Sequence, residues 1–228
     1  MELELKEKLI AYLEGFVTEK RIGLIDKNLK NRTKYVTVVL EDIFQPQNAS
    51  AVIRSCDCFG VQDLHVIENT NKYTLNPKVV MGASKWVDLY RYNQEENNSL
   101  NAIQKLKAEG YRIVATTPHT NDTLLPDFDL SKGKAAFVFG TELTGISETV
   151  LQNADEFVKI PMYGFTESFN ISVSAALILS HLANELRKSD VDWHLGREEY
   201  LDLKLEWLKK SARNGEAMVQ QYLKKIGY

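Results

Sequence analysis

The residues best suited to chemistry stand at the ends of apolar runs. In "FGTELTGIS" (139–147) two glycines, Gly140 and Gly145, and one acid, Glu142, crowd a turn behind the strand-like run "KAAFV". Glycine permits backbone conformations and close approaches that a side chain would block. The stretch could be a tight turn and nothing more, or a backbone loop shaped around a ligand. It lacks the Gly-Lys-Ser/Thr ending of a phosphate-binding P-loop, and it is not the Gly-x-Gly-x-x-Gly of a dinucleotide site. A second unusual stretch is "IPMYGFTESFNISVS" (160–174). It mixes Pro161, Met162, Tyr163 and Phe169 with Ser168 and Asn170. Apolar loop residues can wall a pocket for an aromatic base while backbone groups select its edge. They can equally be core, with Ser168 or Asn170 capping the next helix. The third candidate is Arg54, off the apolar stripe of a helix that follows Asn48. It reads either as a surface arginine paired with Asp57 or as a phosphate ligand at the rim of a site. The four histidines, His65, His119, His181 and His194, show no metal-ligand spacing, so no metal is expected.

Those residues need elements to hold them. "YVTVVL" (35–40), "DLHVI" (63–67), "YRIVAT" (111–116), "AAFVF" (135–139) and "EFVKI" (156–160) read as strands, and "KWVDLY" (85–90) as a weaker one. Between them lie helical patterns. Ala49, Val52, Ile53 and Cys56 form an i, i+3, i+4, i+7 stripe over 49–59, with Asn48 at the N-cap position and Gly60 at the C′ position. Helices are also expected over 100–110, 171–188 and one or two of them within 1–30, with two more between 198 and 225. This alternation predicts an α/β fold built on a mostly parallel, doubly wound sheet. Ligands bind such sheets beyond the carboxyl ends of the strands. That edge carries the loops 41–48, 116–119, 140–145 and 161–170, so the three candidate stretches converge on it.

The chain has 228 residues, 44% hydrophobic and 26% charged, as expected of a globular protein. No apolar run reaches the roughly 18 residues of a membrane span, and the acidic amphipathic start "MELELKEKLIAYLEGF" does not read as a signal peptide. Cys56 and Cys58 read as reduced thiols of a cytoplasmic protein. The net charge of −3 is unevenly spread. Residues 20–34 carry six Lys/Arg against one Asp, and 204–228 carry six against two Glu, around an acidic body. Such flanks could be a phosphate footprint or ordinary solvated faces.

Three segments resemble something specific. "NASAVIRSCDCFG" (48–60), "FVFGTELTGIS" (137–147) and "IPMYGFTESFNISVSAALIL" (160–179) are similar, in order and spacing, to the three motifs of the SpoU family of RNA ribose 2′-O-methyltransferases. The similarity spans residues 35–187. The flanking helices, with "WHLGREEYLDLKLEWLKK", look most like the branch that methylates a guanosine in the D-loop of tRNA, at position 18. The resemblance implies a C-terminal trefoil knot, S-adenosylmethionine as methyl donor, tRNA as substrate and a homodimer. It also implies an organisation of N-terminal helical extension (1–34), methyltransferase domain (35–188) and C-terminal helical extension (189–228). Carried over residue by residue, Arg54 matches the family's catalytic arginine and Asn48 would position it. Glu142, Ser168 and Asn170 match active-site positions, and Thr116, Gly140, Ile160 and Phe169 match cofactor contacts. Lys20, Arg21, Lys27, Lys30, Arg32 and Lys34 are the expected tRNA phosphate contacts. Two positions depart from the pattern: Gln47 replaces a histidine and Phe169 a leucine. A ribosomal RNA methyltransferase and a non-catalytic RNA-binding protein on the same scaffold are the alternative readings.

Overall fold

A computed structural model describes residues 1–117, 123–141 and 144–228. They form two compact units, one of residues 1–32 with 194–228 and one of 33–193.

The larger unit holds a sheet of seven parallel strands: β1 (Val36–Glu41), β2 (Asp63–Ile67), β3 (Asp88–Tyr92), β4 (Arg112–Thr116), β5 (Thr123–Leu124), β6 (Ala135–Phe139) and β7 (Glu156–Lys159). Their spatial order is β3-β2-β1-β6-β4-β7-β5. Every pairing between them is parallel. The helices of the smaller unit, α1 (Leu3–Glu14) and α2 (Glu19–Leu29), precede the sheet in sequence. Within it come α3 (Pro46–Phe59), α4 (Pro77–Val80), α5 (Asn98–Ala108), α6 (Glu148–Asn153) and α7 (Ile171–Lys188). The chain ends with α8 (Arg197–Ser211) and α9 (Gly215–Lys225). None of these helices is long and apolar enough to cross a membrane.

The central strands are buried along their whole length, which is why they read as near-continuous apolar runs. Their side chains still alternate between two cores. Val36, Val38 and Leu40 of β1 and Ala135, Phe137 and Phe139 of β6 pack with Val52 and Ile53 of α3 and Ile178 and Leu182 of α7. Val39, Ala136 and Val138 face the other way, onto Ala102, Ile103 and Leu106 of α5 and Val150 of α6. Covering both faces with helices places the open edge, and hence any site, at the strand ends.

Two elements differ from the sequence expectation by more than two residues at an end. Helix α3 begins at Pro46, so Asn48 is its third residue and Gln45 the N-cap. Proline pre-sets the helical φ and has no N–H to leave unsatisfied, so it starts a helix without a polar cap. The expected strand 85–90 is shifted to Asp88–Tyr92, because Ala83–Lys85 is wound into a 3₁₀ turn. The C′ glycine of α3 is as expected, with Gly60 at φ 81°.

In the smaller unit, Leu5, Leu9 and Leu13 of α1, Ile25 and Leu29 of α2 and Leu208 of α8 are buried, and α8 packs on both α1 and α2. Its basic residues divide into two sets. Arg32 is 3% exposed and lies over the Trp207 ring at 5.0 Å. Lys204 sits between Glu14 and Asp26, at 2.8 Å from each. Lys20, Arg21, Lys27 and Lys30 stand exposed on and just after α2.

Candidate functional site

A cavity of about 480 Å³ opens at the carboxyl ends of β4, β6 and β7, within the size range of small-molecule sites. Residues of four segments line it: 116–117, 139–141 with 144–146, 158–160 with Met162, and 168–171, joined by Ser174 and Ile178 from the first turns of α7. Thr116, Gly140, Ile160 and Phe169, expected from the motifs to touch a cofactor, all line this one cavity, as do Ser168 and Asn170. Phe139, Ile160, Met162 and Ile178 supply apolar wall, and the turn after β6 contributes Gly140, Thr141, Thr144 and Gly145.

That turn is closed on itself. Thr141 N–H donates to Gly145 O at 2.9 Å, and Gly145 N–H returns to Thr141 O at 3.1 Å. The Thr141 and Thr144 hydroxyls are 2.7 Å apart. Gly145 takes φ 70°, a region that favours glycine. At Gly140 the reason for glycine is different. A Cβ there would stand 2.1 Å from Gly145 O and 2.3 Å from its carbonyl carbon. Of the two readings of "FGTELTG", the tight turn is what the structure shows, and the turn's described residues line the cavity. Glu142 lies outside the described residues, and of the loop 116–119 only Thr116 and Thr117 are described. The hydroxyl of Thr116 donates to Val138 O at 2.8 Å and ties β4 to β6 at the rim.

The first and third motifs meet directly. Asn170 Nδ2 donates to Asn48 Oδ1 at 3.2 Å. The orientation of this pair follows from chemistry. Ser172 N–H can only donate, and it points at Asn170 Oδ1 at 2.9 Å, with the Ser172 hydroxyl at 2.6 Å on the same oxygen. Asn170 must then present its NH₂ to Asn48. Asn170 is thus both the cap of α7, as one of the two readings had it, and a bridge to Asn48.

Arg54 stands exposed on α3. Among the described residues it makes no hydrogen bond or ion pair, with Asp57 or with Asn48. The expected positioning of Arg54 by Asn48 is not a direct contact, because Asn48 is buried and engaged with Asn170. Arg54 does not line the cavity itself. Of the six expected phosphate contacts, Arg32 is removed from solvent by its packing on Trp207, and Lys34 pairs with Asp63 at 3.2 Å. Such burial against an aromatic face leaves no local sequence signature. Sequence reasoning also passed over Ser174 and Ile178, which share a helical face four residues apart. Their spacing would have shown them once the N-terminus of α7 was placed at the site.

The SpoU rRNA Methylase family model matches residues 35–180. A tRNA (guanosine(18)-2′-O)-methyltransferase of Borreliella burgdorferi is 46% identical over 207 residues, 91% of this chain and 93% of that protein. The crystal structure of the Aquifex aeolicus TrmH/SpoU tRNA modifying enzyme has the same fold with a TM-score of 0.73 at 27% identity, over 84% of this chain and 96% of that one. The SpoU methyltransferase AviRb of Streptomyces viridochromogenes, solved with the cofactor AdoMet, matches in fold at TM-score 0.59 and 23% identity, over 72% of this chain and 62% of that one.

Proposed function

The chain belongs to the SpoU methylase family, and from that membership we propose that it transfers a methyl group from S-adenosylmethionine to a ribose 2′-hydroxyl of tRNA, at guanosine 18. The observation that carries this reading is one cavity lined by all the expected cofactor positions and by the Thr141–Gly145 pair, and adjoined by the Asn48–Asn170 bridge.

The cavity fits the cofactor. Apolar walls suit an adenine ring, and the missing Cβ of Gly140 lets backbone approach backbone. When bound, S-adenosylmethionine supplies an electrophilic methyl on a sulfonium. The protein's part is alignment, since an in-line displacement depends on donor, carbon and hydroxyl geometry. Thr116, Gly140, Ile160 and Phe169 hold the donor. Ser168 and Asn170 present polar groups to the cavity, and buried Asn48 holds Asn170 from behind. Arg54 grips the substrate phosphate and orients the adjacent 2′-hydroxyl. A guanidinium is a donor with no lone pair to take a proton, so orientation suits it better than proton removal. Glu142 belongs to this set by its motif position.

The test is incubation with labelled S-adenosylmethionine and unmodified tRNA or ribosomal RNA, followed by mapping. Label on the ribose of the D-loop guanosine is expected. Label confined to ribosomal RNA, or absent from both, would sink this reading.

Four exposed cations, Lys20, Arg21, Lys27 and Lys30, are proposed as the tRNA phosphate footprint. Neutralising them together should lower the slope of log K against log[salt] by up to about 3 to 4, since each released contact contributes about 0.7 to 0.9. Cofactor affinity should not move. An unchanged slope returns these residues to the role of a solvated face.

A homodimer is supported by apolar side chains left exposed beside the site, Tyr163, Phe165, Val173 and Leu177. Sedimentation at the monomer mass would withdraw it. The trefoil knot is inferred from family membership and is checked by a crystallographic chain trace. A cytoplasmic place of action follows from a tRNA substrate and is read by cell fractionation.

A further inference from the structure

We propose that Glu41, which lies in none of the three motifs, is a positioning residue for cofactor binding; the inference rests on the methyltransferase reading above. Glu41 is the last residue of β1 and only 2% exposed. Among the described residues it has no cationic partner. Its carboxylate is held by donors from two other elements. Oε1 accepts the Ser147 hydroxyl at 2.6 Å, and Oε2 accepts the Ser147 N–H at 2.9 Å. The Ser99 hydroxyl, from the first turn of α5, also donates to Oε1.

Each hydroxyl is fully committed. Ser147 gives its proton to Glu41 and accepts Val150 N–H at 3.3 Å, as the N-cap of α6. Ser99 gives its proton to Glu41 and accepts Asn69 Nδ2 at 2.8 Å. All three groups facing the carboxylate are therefore donors, and only an acceptor on both oxygens satisfies them. Burying a carboxylate without a counter-charge is costly, and an apolar residue would serve packing better. Its presence points to a specific ordering role.

The group ordered is the cavity wall. Ser147 closes the segment that begins at Gly140. At its first end this segment continues β6, which is fixed by pairing with β1 and β4. At its second end the hold is Ser147 on Glu41. Between the two ends lies the Thr141–Gly145 pinch that lines the cavity. The same strand end leads through Asp42, at φ 51°, into α3 with Asn48 and Arg54. One carboxylate thus joins the wall that holds the methyl donor to the arm that carries the substrate-orienting arginine. Glu41 touches neither ligand and acts through Ser147.

The test compares binding of S-adenosylmethionine and S-adenosylhomocysteine by calorimetry in wild type, Glu41→Gln, Ser147→Ala, Ser147→Thr and Ser99→Ala, beside thermal melting. Glu41→Gln puts an NH₂ against a donor, and Ser147→Ala removes the hydroxyl from the loop side. Both should weaken binding by about tenfold or more. The KM for the cofactor should rise alike, with kcat at saturation changed less than about threefold, the mark of lost binding and not of lost chemistry. Ser147→Thr keeps the hydroxyl and should bind like wild type. Ser99→Ala loses a bond to the same oxygen, but from α5 and not from the loop, so it should melt lower while its affinity stays within about twofold. If Glu41→Gln does not fold, the two Ser147 variants decide. Wild-type affinity in Ser147→Ala, or equal weakening in Ser99→Ala, would make Glu41 a general buttress and overturn the inference alone. A folded wild type that binds neither ligand would overturn the methyltransferase reading and this inference together.

Discussion

Replacing Arg54 by alanine should lower methyl transfer to tRNA by roughly 10²–10³-fold, the loss seen when one preorganised donor to a reacting centre is removed. The same change should leave stability within about 0.5 kcal/mol, as for surface positions away from special features. The two expectations separate because packing and chemistry fall on different sides of α3. Val52, Ile53 and Cys56 are buried in the core, whereas Arg54 is exposed and has no partner among the described residues to lose. Arg54→Lys should not restore the rate, because a point charge replaces a planar donor able to hold a phosphate through two parallel bonds. The measurement is turnover at saturating cofactor, paired with melting of the same samples. Near-normal turnover in Arg54→Ala would reduce Arg54 to a solvated side chain.

Gly140→Ala should all but abolish cofactor binding, with affinity down by about two orders of magnitude, and should also cost stability, on the order of 1–3 kcal/mol as for other overpacking changes. The added methyl would meet Gly145 O at 2.1 Å and Ile146 N at 2.5 Å. These are backbone atoms, so no rotamer change relieves the clash and the turn must open. Opening it breaks the Thr141–Gly145 pair and moves the cavity wall. Gly145→Ala is the informative comparison. Its Cβ would meet nothing within 4 Å, and its penalty is the φ of 70° alone, about 1–2 kcal/mol for an L-residue in the left-handed region. That variant should lose stability yet keep much of its affinity. Calorimetry showing Gly140→Ala binding as tightly as Gly145→Ala would mean that the pinch does not shape the cofactor site.

Much of this molecule is legible from local pattern. The run "AAFVF" and the stretch 171–188 form β6 and α7 with the expected ends, and "DLHVI" forms β2. Periodicity and β-branched content act over a few residues, and the alternation of strand and helix is enough to imply a parallel sheet with its site at one edge. Two of the motifs hold three of the four expected cofactor positions, Gly140, Ile160 and Phe169, and Thr116 ends β4 outside them; all four line one cavity because the strand ends share that edge. What no local pattern held was partnership across the sheet. Asn170 meets Asn48 over 122 positions, and Ser147 meets Glu41 over 106. Those meetings depend on the strand order, in which β1 lies beside β6 although four strands separate them in sequence. The same holds for the basic flank. Six cations looked alike in sequence, and only the packed structure divides them. Trp207 takes Arg32 out of solvent and Asp63 engages Lys34, while the cations on and just after α2 stay exposed. A side chain's type sets what it can do, but its neighbours, brought from a hundred residues away by burial of the sheet's two faces, set what it does.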